Sequence, residues 1–400
     1  MKVYITGVGP GDLDFFTDRA KSIIKSADIV LSSQKRINAV KALNENTQFM
    51  GIMDTVEYIN KNKDVDGIVC IAASGDTGFY SIASTIAKKI DPEIEYEFVC
   101  GIGSLSYLMS KLGKGYENTA LVSLHGREKN IVSYVSYNEN VFALTGGKIK
   151  AKDVASKLCK AGLGSCVKMT VGENLTFDNE RIVTGTPEEI LKYDFCDLSV
   201  IYLHNQNYVN RYKTLKDGDF IRGKSPMTKE AVRNLSVSAL EIEPSDVVYD
   251  IGAGTGAVTC ALAYKAFEST VYAVEKNDFA VELIEENRKK TGAYNIEITH
   301  STAPDGLSDL PACDKVFIGG STGHMGDIID VCLSKNPKTV FVVNAITLET
   351  ISQAVNLFSE RNMETEIMCA NIAVANKLGR YNLMKAENPV YIIKGMHLDE

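Results

Sequence analysis

Twice in this chain a short apolar strand runs straight into a glycine loop, as VYITGVGPGD over residues 3–12 and as VVYDIGAGTGAVT over residues 247–259. Such a junction limits the possible folds more than any average property does. It makes a buried strand end where the backbone turns tightly or comes close to another group. Two such junctions, far apart in a chain of 400 residues, predict two α/β units, because one core rarely organises so long a polypeptide.

The rest of the pattern agrees. Apolar runs rich in Val and Ile alternate with stretches of helical period. In the first half ADIVLSS, GIVCIAAS, YEFVCGI, NVFALTG, SCVKMTVG and SVIYLH read as further strands, with helices near 17–26, 79–89 and 151–162. Thr17 is placed to cap the first helix, whose buried stripe is Phe16, Ala20, Ile23, Ile24 and Ala27. Buried strands alternating with helices predict an α/β fold with a largely parallel sheet. The polar, aromatic stretch HNQNYVNRYKTLKDGDF has no clear period, so residues 206–218 are read as a linker between domains at 1–205 and 219–400. Beyond it the alternation is more regular, with helices expected near 228–240, 257–267, 278–290, 325–335 and 348–361. Two closing strands near 364–375 and 389–396 are expected to pair antiparallel through a short loop.

Composition narrows the function. A net charge of -8 argues against nucleic acid as the main ligand, since a polyanion needs a basic face. Nine cysteines, an odd number without a C-x-x-C pair, suit reduced cytoplasmic thiols better than a disulfide frame or a zinc site. Met1 leads at once into a core strand, so neither a signal peptide nor a membrane anchor is expected. The five histidines have no metal-ligand spacing, and no metal is expected.

The second loop carries the clearer chemistry. Asp250 precedes Gly252, Ala253, Gly254, Thr255 and Gly256, which open a helix where backbone can approach a ligand. Glu275 ends the next strand, 19 residues after Gly256, where a carboxylate can take both hydroxyls of an adenosine ribose. This reads as a nucleoside site. Gly252, Gly254 and Ala257 also satisfy the dinucleotide pattern, so an NAD-dependent oxidoreductase remains an alternative. Asp250, placed to hold a cationic methionine end, and the closing strand pair favour S-adenosyl-L-methionine.

Longer motifs point the same way. Pro226-Met227-Thr228-Lys229, DIGAGTG, Ala303-Pro304-Asp305-Gly306-Leu307, Phe317-Ile318-Gly319-Gly320 and Asn344-Ala345-Ile346-Thr347-Leu348-Glu349-Thr350 resemble the decarboxylating precorrin methyltransferases of cobalamin biosynthesis, from about residue 215 to 400. The resemblance implies a Rossmann-like class I methyltransferase domain. It also implies an S-adenosylmethionine pocket lined by Thr228, Gly252 to Gly256, Glu275 and Ala303.

The first loop is of another design. In Gly7-Val8-Gly9-Pro10-Gly11 the proline removes one N–H, so the loop cannot offer the unbroken run of donors that cradles a pyrophosphate. Further glycine turns follow at Gly75-Asp76-Thr77-Gly78 and Gly101-Ile102-Gly103-Ser104, and SLHGR follows another apolar run. Several strand ends converging on glycine turns build a cleft. GVGPGD, SGDTGFYSIAS, VCGIGSLSYLMSKLG, VSLHGR and VGENL together resemble the tetrapyrrole methylases, specifically those acting at carbon 5, over about 1–203. That family implies two α/β subdomains around a cleft, with cofactor contacts at Gly9, Pro10, Gly75, Asp76, Thr77 and Ser104. The chain departs from its pattern at Thr77, where proline is common, and at Gly103, where a serine pair is common.

The two domains in this order resemble the bifunctional precorrin C5,15-methyltransferases. The resemblance implies a precorrin or cobalt-precorrin substrate, methylated at carbons 5 and 15 with loss of carbon dioxide from an acetate side chain. Methyl transfer from a sulfonium needs little acid–base machinery, so positioning should carry most of the acceleration. Arg222, Lys229 and Arg233 beside the PMTK segment, and Arg127 in the first domain, are candidates for meeting substrate carboxylates. His125 and His324 are candidates for orienting substrate or moving a proton. A homo-oligomer is expected by resemblance. A module that binds a tetrapyrrole without turnover is the other alternative.

Overall fold

The computed structural model describes residues 1–33, 36–126, 129–223, 226–320 and 323–397. By compactness the chain divides into two units. The first comprises residues 1–127, 140–156 and 167–204, and the second comprises 128–139, 157–166 and 205–400.

The first unit holds two five-stranded sheets. In one, β1 (Lys2–Gly7), β2 (Ile29–Ser32), β3 (Thr47–Phe49), β4 (Ile68–Ala73) and β5 (Glu95–Val99) run parallel in the order β3-β2-β4-β1-β5. Val3, Ile5, Leu31 and Ile71 are buried on this sheet, as their unbroken apolar runs require. The first helix spans Asp18–Ser26, with the Thr17 hydroxyl accepting from the Ala20 N–H at 3.1 Å and with Ala20, Ile23 and Ile24 buried. The expected helix at 79–89 is shorter, Ala83–Ala87.

The other sheet contains β6 (Thr119–Ser123), β7 (Asn140–Leu144), β8 (Val167–Glu173), β9 (Arg181–Gly185) and β10 (Ser199–Asn205), in the order β6-β7-β10-β8-β9. Unlike the first, this sheet is mixed, since β6 and β7 run parallel while β10 runs antiparallel to β7 and β9 to β8. A buried apolar run is the same signal in either direction, so periodicity does not distinguish them.

The second unit is a seven-stranded sheet of β11 (Val248–Ile251), β12 (Val271–Glu275), β13 (Ile296–His300), β14 (Lys315–Ile318), β15 (Val340–Ala345), β16 (Glu364–Ala370) and β19 (Val390–Met396), in the order β13-β12-β11-β14-β15-β19-β16. The strand order reverses at β11 and β14, where a crevice opens at the carboxyl ends of a Rossmann-like sheet. β16 and β19 do pair antiparallel, but a short loop does not join them. A hairpin of β17 (Ala373–Leu378) and β18 (Tyr381–Ala386) stands between them, turning at Gly379, whose φ is 60°. All twelve residues of this hairpin's strands are exposed, so no burial alternation betrays it in the sequence.

The ends of β1, β4 and β5 come so close that a side chain at Gly101 would collide with the Gly75 carbonyl oxygen and lie 2.6 Å from the Gly7 carbonyl. Gly101→Ala is expected to destabilise the first unit by about 1–3 kcal/mol through overpacking. Urea unfolding checks this against Gly218→Ala, where no atom lies within 4 Å of the new methyl group.

Candidate functional site

Each unit closes its glycine loops around a cleft. In the first, Gly9 (φ 67°) and Gly75 (φ 72°) exchange backbone hydrogen bonds. The Gly9 N–H donates to the Gly75 carbonyl at 3.2 Å, and the Gly75 N–H donates to the Gly9 carbonyl at 2.8 Å. The Asp76 carboxylate accepts from the Gly78 N–H at 2.8 Å and the Gly101 N–H at 3.0 Å, which fastens the turn after β4 to the turn after β5. The resulting cleft measures about 320 Å³ and gathers Pro10, Gly75, Asp76, Ser104 and His125 on its walls.

Other expected residues stand differently. Gly9 buttresses the cleft without lining it, and the Thr77 hydroxyl instead lies 3.5 Å from the Val99 carbonyl. His125 is exposed, with its Nδ1 against Gly146, where a Cβ would collide with it. Arg127 lies outside the described residues. Arg36 also lines this cleft although only 4% exposed. Sequence reading missed it, because nothing in SSQKRINAV separates a buried guanidinium from a solvated one.

In the second unit the loop after β11 passes through Gly252, Gly254 and Gly256 with φ values of 73°, 55° and 74° before the helix Ala257–Lys265 begins. Gly252 is confined twice over, because a Cβ there would also lie 2.6 Å from the Gly320 carbonyl oxygen. Glu275 locks the loop, its Oε2 accepting from the Gly254 N–H at 2.9 Å and its Oε1 from the N–H groups of Lys276 at 2.9 Å and Asn277 at 3.0 Å. The cleft here measures about 980 Å³. Gly252, Ala253, Gly254, Thr255, Glu275 and Thr228 line it, as does Lys229. Gly256 packs on Ile284 beneath the turn, and Ala303 lines an adjoining recess of about 220 Å³ that Gly252 and Glu275 share. The β17–β18 hairpin adds Asn376 and Lys385 to the cleft wall, two residues that sequence reading missed because the hairpin itself was not apparent.

Four of the expected residues in this unit stand differently. Arg233 does not line the cleft. It has no exposed surface, and its guanidinium donates to Asp217 Oδ1 at 3.1 Å, the Thr228 carbonyl at 2.9 Å and the Leu215 carbonyl at 2.6 Å, so it holds the PMTK segment in place. Arg222 lies 3.7 Å from Asp217 Oδ2 and does not line the cleft. Asp250 lies under the cleft floor with no exposed surface, one oxygen accepting from the Thr259 hydroxyl and the other, Oδ1, buried without a partner. It borders the cleft from beneath, without exposed surface of its own. His324 begins the helix Met325–Lys335, pairs with Asp327 at 3.3 Å and does not line the cleft.

Burial pushes the Asp250 carboxyl up to about 7, with Glu275 adding to the rise and Thr259 opposing it. The folded chain therefore keeps a proton that the unfolded chain has already released. Stability should fall as pH rises from about 4 to about 7 and then level off as far as this group is concerned. Asp250→Asn is expected to flatten that part of the profile, as measured by denaturant titrations at about pH 5 and about pH 8.

Known proteins match both halves. The precorrin methyltransferase domain model matches residues 219–396, and the tetrapyrrole (corrin/porphyrin) methylase model matches residues 2–191. A probable cobalt-precorrin-6B C(15)-methyltransferase (decarboxylating) of Pyrobaculum calidifontis is 35% identical over 170 residues, 42% of this chain and 87% of that protein. A probable cobalt-precorrin-7 C(5)-methyltransferase of Methanocaldococcus jannaschii is 28% identical over 204 residues, 50% of this chain and 95% of that protein. The precorrin-6Y C(5,15)-methyltransferase [decarboxylating] of a Sinorhizobium species is 25% identical over 398 residues, covering 96% of this chain and 94% of its own. With both glycine-turn clefts in place and relatives aligned along its length, the chain belongs to the precorrin methyltransferase family, with a tetrapyrrole methylase as its first half.

Proposed function

We propose that the chain is a bifunctional S-adenosylmethionine-dependent C-methyltransferase of cobalamin biosynthesis. It methylates a precorrin or cobalt-precorrin at carbon 5 through domain 1–205 and at carbon 15 through domain 219–400, where an acetate side chain also loses carbon dioxide. The observation that carries this reading is a relative with both activities in its name that aligns with 96% of the chain. The two differently built clefts give each activity its own site.

The residues of the second cleft fit the donor. Positive-φ glycines bring backbone against a ligand at the start of a helix. Glu275 Oε2 accepts one amide and keeps room for a ribose hydroxyl. Asp250 lies beneath the loop with one buried oxygen unpartnered, and a cation bound above it would favour its ionised form. The donor, when bound, supplies a methyl group on a positively charged sulfur. Thr228 and Lys229 line the same cleft, Thr228 as a further contact for the donor and Lys229 as the cation for a substrate carboxylate. In the first cleft Pro10, Gly75, Asp76 and Ser104 hold the donor, and His125 orients the substrate.

The hairpin β17–β18 leaves Val374, Leu378, Tyr381, Leu383 and Met384 at least half exposed, and an apolar surface of this kind supports assembly into a homo-oligomer. Among the described residues no helix is long and apolar enough to cross a membrane. Reduced cysteines and the acidic balance favour a cytoplasmic enzyme that uses neither nucleic acid nor membrane as partner.

Calorimetric titration of the full chain with S-adenosylhomocysteine is expected to give two sites, one of which Glu275→Ala weakens by about tenfold or more through loss of a charge-assisted contact. A single site indifferent to Glu275→Ala, or tight binding of NADH, would sink the reading.

A further inference from the structure

We propose that Arg36 is the carboxylate anchor of the first cleft, an inference that rests on the methyl-transfer reading of that unit. The side chain is only 4% exposed, yet it lines the cleft. Its Nε donates to the Ser74 hydroxyl at 3.3 Å, and its guanidinium carbon lies 5.2 Å from the centre of the Phe177 ring. Its Nη1 is buried and has no hydrogen-bond partner.

That combination calls for a ligand. A buried cation without a counter-ion is costly, and among the described residues Arg36 makes no ion pair. Asp76 is the acid of the same cleft, but both its oxygens already accept backbone N–H groups of Gly78 and Gly101. Burial lowers the Arg36 pKa to about 10, which still leaves the group charged at neutral pH. The slot that holds it is built for it, since a Cβ on Gly11 would come 2.8 Å from Nη1. A guanidinium fixed by a hydroxyl and an aromatic ring, with a donor left open, matches a planar carboxylate that accepts in its plane.

Two carboxylates enter this cleft under the proposed function, the methionine carboxylate of the donor and the side-chain carboxylates of the macrocycle. The test is run on the full-length chain carrying Glu275→Ala, so that the second unit's site is weakened and the first unit's is told apart from it in the titration. S-adenosylhomocysteine and its decarboxylated analogue are each titrated into Arg36 and Arg36→Met proteins, and the KM of the precorrin substrate is measured for methylation at carbon 5. If the donor carboxylate is the partner, Arg36→Met weakens S-adenosylhomocysteine by about tenfold or more and leaves the decarboxylated analogue unchanged. If a macrocycle carboxylate is the partner, both nucleosides bind as before and the KM rises by a similar factor.

Equal weakening of both nucleosides, or no change in any of the three, overturns the anchor. The unfolding midpoint of the ligand-free protein gives an independent readout, because replacing an unpaired buried cation by an apolar side chain should raise it. A fall in that midpoint with unchanged binding assigns Arg36 to structure alone. Failure of the parent protein to bind S-adenosylhomocysteine in this unit counts against the methyltransferase reading instead, and is thereby told apart from failure of Arg36.

Discussion

Backbone packed against backbone at strand ends is the contact on which both clefts depend. Gly7 and Gly101 in the first unit, and Gly252 in the second, approach neighbouring backbone so closely that a Cβ on any of them would collide with it. Each close approach is then made rigid by an acid. Asp76 gathers two N–H groups and Glu275 three, and hydrogen bonds to an ionised acceptor are stronger than those between neutral groups. The two units therefore solve one problem, fixing a glycine loop with a single carboxylate, on different topologies.

Buried charge follows a second logic. Arg233 and Arg36 are both withdrawn from water, but Arg233 meets one carboxylate and two carbonyls while Arg36 meets one hydroxyl and a ring face. The Arg233 guanidinium, spent on acceptors of its own unit, organises the chain around it, whereas that of Arg36 meets no carboxylate or carbonyl. Asp250 is the acidic counterpart, with one oxygen satisfied and the other not. The kind of acceptor each meets thus separates residues of similar burial.

Much of this was legible in the residues. Strands announce themselves because burial on two faces demands unbroken apolar runs, and the glycine loops because only glycine tolerates their torsions and proximity. Glu275 is found by its spacing from the loop, since a strand and a helix of ordinary length separate the two. Strand direction in the β6–β10 sheet is not legible, because an apolar run reads alike both ways. Neither is the exposed β17–β18 hairpin, which buries nothing and so leaves no periodic trace. The fates of Arg36 and Arg233 depend on partners distant in sequence, Ser74 in one case and Asp217 in the other, and no local pattern encodes them.

The strand orders also bear on how the chain assembles as it is synthesised. In the β6-β7-β10-β8-β9 sheet and in the β13-β12-β11-β14-β15-β19-β16 sheet, the strand that leaves the ribosome last takes an interior position, with a partner already waiting on each side. β7 and β8 cannot be bridged until β10 emerges, nor β15 and β16 until β19 does. Each sheet therefore passes through a stage with two unpaired edges facing a gap of one strand's width, open to any extended segment nearby. Translation that pauses just before either strand would lengthen that stage, whereas a pause just after it would not.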